Sequence, residues 1–154
     1  MQIKLYLNHL RNLVKKESYS KCVKTGEANL LPLLLDLANP SPSIGWENRE
    51  RMSLAERGPA DVVFAFALIH HLFFSNNVPF DKIARFFSRI CRVLIVEFVP
   101  KSDTQVQRLL LNREDIFPHY TQSSFESEFQ KYFAIQNSIK ITGSERIMYL
   151  MEKK

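Results

Sequence analysis

The sequence predicts an α/β fold in which a mostly parallel sheet, covered by helices, is closed by an antiparallel hairpin. Three observations carry that reading. Residues 29–37, 61–69 and 92–99 are short apolar runs of the kind shown by parallel strands buried on both faces. Apolar residues at helical spacing separate the second run from the third. Thr142-Gly143-Ser144 divides two further strand-like runs, 135–141 and 146–152, as a hairpin turn does.

Taken in order, Ile3, Leu7, Leu10 and Val14 fall at helical spacing, so residues 2–17 read as an amphipathic helix. Ile3, Leu5 and Leu7 also alternate, but the helical pattern persists for longer. The run 29–37 is the first strand, closing with Asp36 and Leu37. Pro40, Pro42 and Gly45 make residues 38–46 a loop, and residues 54–57 are long enough for one helical turn. Residues 61–69 form the second strand. Residues 81–91 form a helix with Ile83, Phe86, Phe87 and Ile90 on one face, and residues 92–99 are a third strand stopped by Pro100. Residues 103–112 and 123–133 read as helices ahead of the hairpin. There is no internal repeat and no low-complexity segment.

Length and composition fit this plan. A chain of 154 residues makes one domain, and 45% hydrophobic with 24% charged residues is a globular composition. The net charge of +5 is mild, with acids interspersed among the bases, which reads as a solvated surface. Lys15, Lys16, Lys21 and Lys24 are the one local concentration, and they lack the row of interleaved aromatics that a single-strand-binding groove uses. Nucleic acid is therefore not the expected partner. Cys22 and Cys91 lie far apart with no CxxC, as in a protein of the reducing cytoplasm. No secretory signal is visible, and the longest apolar stretch, 62–74, is broken by two histidines and too short to span a bilayer.

Open α/β sheets bind ligands beyond the carboxyl ends of their strands. Three segments follow the parallel runs: Asp36 to Pro42, Ile69 to Pro79 and Glu97 to Asp103. They carry most of the polar groups that adjoin otherwise apolar strands.

These segments also carry a resemblance. Asp36 at a strand end, then "ADVVFAFALIHHL", "RVLIVEFVPKSD" and a closing hairpin resemble class I S-adenosylmethionine-dependent methyltransferases. More narrowly, "DLANPSPSIGW", "ALIHHL", "NNVP" and "EFVPKSD" together look like a nodulation-protein-type methyltransferase family. The resemblance implies a Rossmann-like methyltransferase sheet, incomplete at its N-terminus. It implies that Asp36 and Leu37 contact the adenine of S-adenosylmethionine. It also implies that Ala67, Leu68, His70 and His71 line the cofactor and an unnamed methyl acceptor, with histidine as general base. On the residues alone, Asp36 equally caps the turn that follows it, and one histidine packs while the other is solvated. Adjacent histidines diverge and nothing completes a ligand set, so no metal site is expected. Glu97 lies inside an apolar strand, where an unpaired carboxylate is costly. It either has a catalytic task or reaches a partner such as Arg92, Lys101 or a histidine.

The resembled family's first strand, Gly-rich turn and second acidic strand end are not in this sequence. Its four glycines, Gly26, Gly45, Gly58 and Gly143, form no GxG. In the class I strand order, 3-2-1-4-5-7-6, the missing pair lies in the middle. The expectation is therefore a truncated methyltransferase or a remnant of one, in which cofactor binding is weak or lost, with a second chain as one means of completing the sheet. The alternatives are a non-catalytic binding protein on the same framework and a small basic nucleic-acid module.

Overall fold

A computed structural model describes residues 36–111 and 116–154. The expected helix over 2–17 and the run 29–35 lie outside them. The described chain is a mixed α/β fold around an open four-stranded sheet.

After a loop containing a short 3-10 turn at Trp46–Asn48, helix α1 spans Leu54–Arg57. Its start is set by a capping box: the Ser53 hydroxyl accepts from the Glu56 amide, and the Glu56 carboxylate accepts from the Ser53 amide. Strand β1, Ala60–Ala65, follows, and then a π-helical turn, His71–Ser75. Helix α2, Phe80–Ile90, starts at Pro79, carries Asp81 in its first turn and Arg89 in its last, and so complements its own dipole. It runs directly into β2, Cys91–Phe98. Helices α3, Thr104–Leu110, and α4, Gln122–Gln130, precede β3, Phe133–Lys140, and β4, Ile147–Lys153.

The strands lie in the order β1-β2-β4-β3. β1 and β2 are parallel, with Ala65 beside Val96. β4 runs antiparallel to both β2 and β3, with Glu97 beside Met148 and Phe98 beside Ile147. The hairpin partners are thus neighbours, but the second of them, not the first, joins the parallel pair. A register shift between Ile135 and Asn137 marks a bulge in the outer strand β3.

The core is aromatic. Phe80, Phe98, Tyr120 and Phe125 form a connected ring cluster, with the Phe98 and Tyr120 rings stacked at 5.4 Å. The buried Tyr120 hydroxyl donates to the Val99 carbonyl at 2.8 Å, which satisfies the polar end of a ring otherwise in apolar surroundings. At α4, Tyr149 from β4 donates to Glu126 and accepts from Gln122, so helix and sheet are joined by polar contacts as well as packing.

Two sequence expectations are corrected. The strand expected over 61–69 ends at Ala65, because Ala67 takes a left-handed conformation, φ 48°, which a pleated strand cannot contain. The two faces of β1 and β2 are also unequally buried: Val63, Ala65, Leu94 and Val96 are buried, whereas Val62, Phe64, Val93 and Ile95 are half-buried. Of the expected first strand, the described part, Asp36 and Leu37, is irregular chain, so two parallel strands are described.

Candidate functional site

The carboxyl end of β2 carries a cluster of charged side chains against the core. Glu97 is the second-to-last residue of that strand and its side chain is only 7% exposed. One of its oxygens accepts from the Ala67 amide at 2.6 Å, and the other accepts from Nη1 of Arg146 at 3.1 Å. Arg146 stands just before β4. The β2–β4 register, which sets Phe98 beside Ile147, brings it to the end of β2. Its Nε and Nη2 reach the two oxygens of Asp103 at 2.7 and 3.2 Å, a forked pairing that suits a planar guanidinium. Asp103 in turn caps α3, accepting from the Gln105 amide at 2.9 Å. Hydrogen bonding to Arg146 holds the Asp103 carboxyl below the usual carboxylate range, and hydrogen bonding to Asp103 raises the Arg146 pKa. All three guanidinium nitrogens are committed, and one cation faces two carboxylates.

Glu97 therefore has a partner, and it is not one of those expected. Arg92 sits at the opposite end of β2, where it pairs with Glu152 at 3.1 Å across β4. Arg146 and Asp103 were missed as site residues. Asp103 closes a strand-end segment that the sequence does single out, but nothing local to Arg146 announces a partner 49 residues away.

Beyond Ala67, the chain turns inward. Leu68 and His70 are buried, while Ala67 itself is exposed. The His70 and His71 rings lie 4.2 Å apart. His70 is 1% exposed, and its Nδ1 has no hydrogen-bond partner among the described residues. Burial first, then the neighbouring His71 and Arg146, push its pKa down to about 4, against a smaller opposing effect of Asp103. Its ring is neutral at pH 7, and a weaker base than a free imidazole. The π-helical turn that starts at His71 is a local irregularity of a kind common at functional sites.

Asp36 is exposed and its Oδ1 accepts from the Ala38 amide at 2.9 Å, so it caps its own turn. Leu37 beside it is buried. The structure thus brings Glu97 to Ala67, and His70 within electrostatic reach of Arg146 and Asp103, while the described bond of Asp36 is local. An open cleft of about 650 Å³ lies against this cluster, lined by Glu97, Asp103, Thr104, Ser144, Glu145 and Arg146 among others. The Ser102 hydroxyl donates to Glu145 across it. Among the described residues no group of three or more side chains could hold a metal ion, and no helix is long and apolar enough to cross a membrane.

No protein-family model matches the chain, and no solved structure matches it. Over 136 residues, 88% of its length, it is 40% identical to Nodulation protein NoeA of Rhizobium meliloti (strain 1021). The similarity takes in most of this chain but spans only 28% of that relative.

Proposed function

We propose that the chain is the acceptor-side half of a class I S-adenosylmethionine-dependent methyltransferase domain. The observation that carries this reading is the strand order. β1-β2-β4-β3, with an antiparallel strand inserted beside the parallel pair, matches the 4-5-7-6 half of the class I order. Asp36 and Leu37, with Ala67 and Leu68, are the residues assigned to the cofactor. His70 and His71 are assigned to the methyl acceptor. Glu97, with both oxygens engaged, has the task of holding Ala67 rather than of taking a proton. A methyl group on a sulfonium is already a reactive electrophile, so alignment of a nucleophile contributes much of the rate without a strong base.

The sequence holds no GxG for the methionine end of the cofactor, and no second acidic strand end for its ribose is among the described residues. Losing two or three such hydrogen bonds, some charge-assisted, costs on the order of 3–6 kcal/mol. At about 1.4 kcal/mol per tenfold, a micromolar site weakens to roughly 0.1–20 mM. The test is a titration of the isotope-labelled chain with S-adenosylmethionine, followed by amide shifts and by calorimetry. The expected result is weak binding with shifts confined to Asp36–Leu37 and Ala67–His71. No shift at either segment at tens of millimolar cofactor would sink the reading. A second reading, a non-catalytic binding protein on the same framework, is favoured by the low basicity of His70. Cofactor-dependent shifts with no methyl transfer by a reconstituted sheet would select it.

A further inference from the structure

We propose that Arg146 is the positioning residue for the segment 67–71: by pinning Glu97 it holds the left-handed turn at Ala67 and so sets where His70 and His71 stand. The inference rests on reading that segment as the lining of the ligand site.

The argument starts at Ala67. A residue with a Cβ in the left-handed region carries a strain that persists only where its surroundings impose the conformation. The Ala67 amide is held by the Glu97 carboxylate at 2.6 Å, the short distance of a bond to a charged acceptor. Glu97 is buried, and a carboxylate so placed depends on a cation at its other oxygen; Arg146 supplies it. Arg146 is in turn fixed by the fork to Asp103, the cap of α3. The turn before β4, the start of α3 and the end of β2 therefore meet on one guanidinium, and Glu97 carries its hold on to the turn after β1. Three of its N–H groups already donate to Glu97 and Asp103, whose two negative charges outweigh its one, so Arg146 is an organiser of neighbouring groups rather than a receptor for an anionic ligand.

The experiment compares the full chain with Arg146→Gln and Arg146→Lys by nuclear magnetic resonance of labelled protein. In the parent, the Ala67 amide is expected downfield and slow to exchange. In Arg146→Gln it should move upfield and exchange about tenfold faster, the equivalent of about 1.4 kcal/mol. The His70 ring signals should move with it, and its titration should rise from its low value as a nearby cation is removed. Arg146→Lys, which keeps the charge but not the fork, should fall between the two. Ser53→Ala, which weakens a remote helix cap, serves as a control for general destabilisation and should leave the Ala67 and His70 signals unmoved. Unchanged Ala67 and His70 signals in a folded Arg146→Gln protein would overturn the proposal. If that variant does not fold, the Lys variant decides on the same two signals. None of these readouts needs cofactor, so a chain that responds as described yet shows no shift at tens of millimolar S-adenosylmethionine refutes the methyltransferase reading alone.

Discussion

At the scale of single residues, His70 is the group whose burial has the clearest thermodynamic consequence. Its folded pKa, about 4, lies below the value of 6.5 expected in the unfolded chain. Between those values the unfolded state binds more protons, so stability rises with pH through that window. Above it both states are neutral and His70 contributes nothing; below it the folded state bears the full penalty. Between pH 7 and pH 5 the loss should be about 2 kcal/mol. Asp103 acts in the same direction at lower pH, since its lowered pKa gives stability that is lost as pH falls through its folded value, below the histidine window. Denaturant titrations at both pH values should therefore show the loss in the parent and little of it in His70→Gln. An equal loss in the variant would assign the effect elsewhere. The sequence singled out His70 and Glu97 because polar side chains interrupt apolar runs there. It could not place Arg146 against Glu97, because that contact exists only once β4 lies beside β2.

At the scale of elements, local chemistry wrote most of the boundaries. The helix expected over 81–91 is Phe80–Ile90, and the hairpin expected around Thr142-Gly143-Ser144 joins Phe133–Lys140 to Ile147–Lys153. Gly143 takes φ 76° at that turn, with open space where a Cβ would stand, so the requirement there is conformational rather than steric. The π-helical turn at His71–Ser75 was not legible, because its apolar residues 72–74 resume the run before the two histidines and short apolar runs read alike as strand or helix. In the loop before α1, Gly45 at φ 94° lies where a Cβ would come within 2.3 Å of Glu50, whose carboxylate accepts from the Trp46 amide. Trp46 is nonetheless 82% exposed. The four-residue helix α1 depends on its cap. Ser53→Ala should cost about 1 kcal/mol, measured as a shift in the denaturant midpoint at constant slope. No change would mean that packing of Leu54, not the cap, holds the turn.

At the scale of the whole molecule, the described sheet has two interior strands, β2 and β4, and two outer ones, β1 and β3. Leu94, Val96 and Phe98 from β2, with Tyr149 and Met151 from β4, are buried on the aromatic core. Amide exchange should accordingly be slowest in β2 and β4 and faster in β3, whose residues 136–140 are exposed. Faster exchange in β4 than in β3 would contradict the strand order. The alternation of apolar runs and helices foretold an α/β sheet, but the position of β4 is a matter of long-range pairing, which no local pattern encodes.

That position has a consequence for how the chain is made. β2 leaves the ribosome with one neighbour, β1, already formed and the place of the other vacant until residues 147–153 emerge. β3 appears earlier yet has no seat in the sheet, because the strand that links it to β2 is the later one. The nascent protein must therefore carry an open strand edge through the synthesis of two helices and the first arm of the hairpin. It closes that edge in one late docking step of high contact order. A pause or nick between β3 and β4 would leave β2 as a template for any extended segment nearby, including another copy of itself.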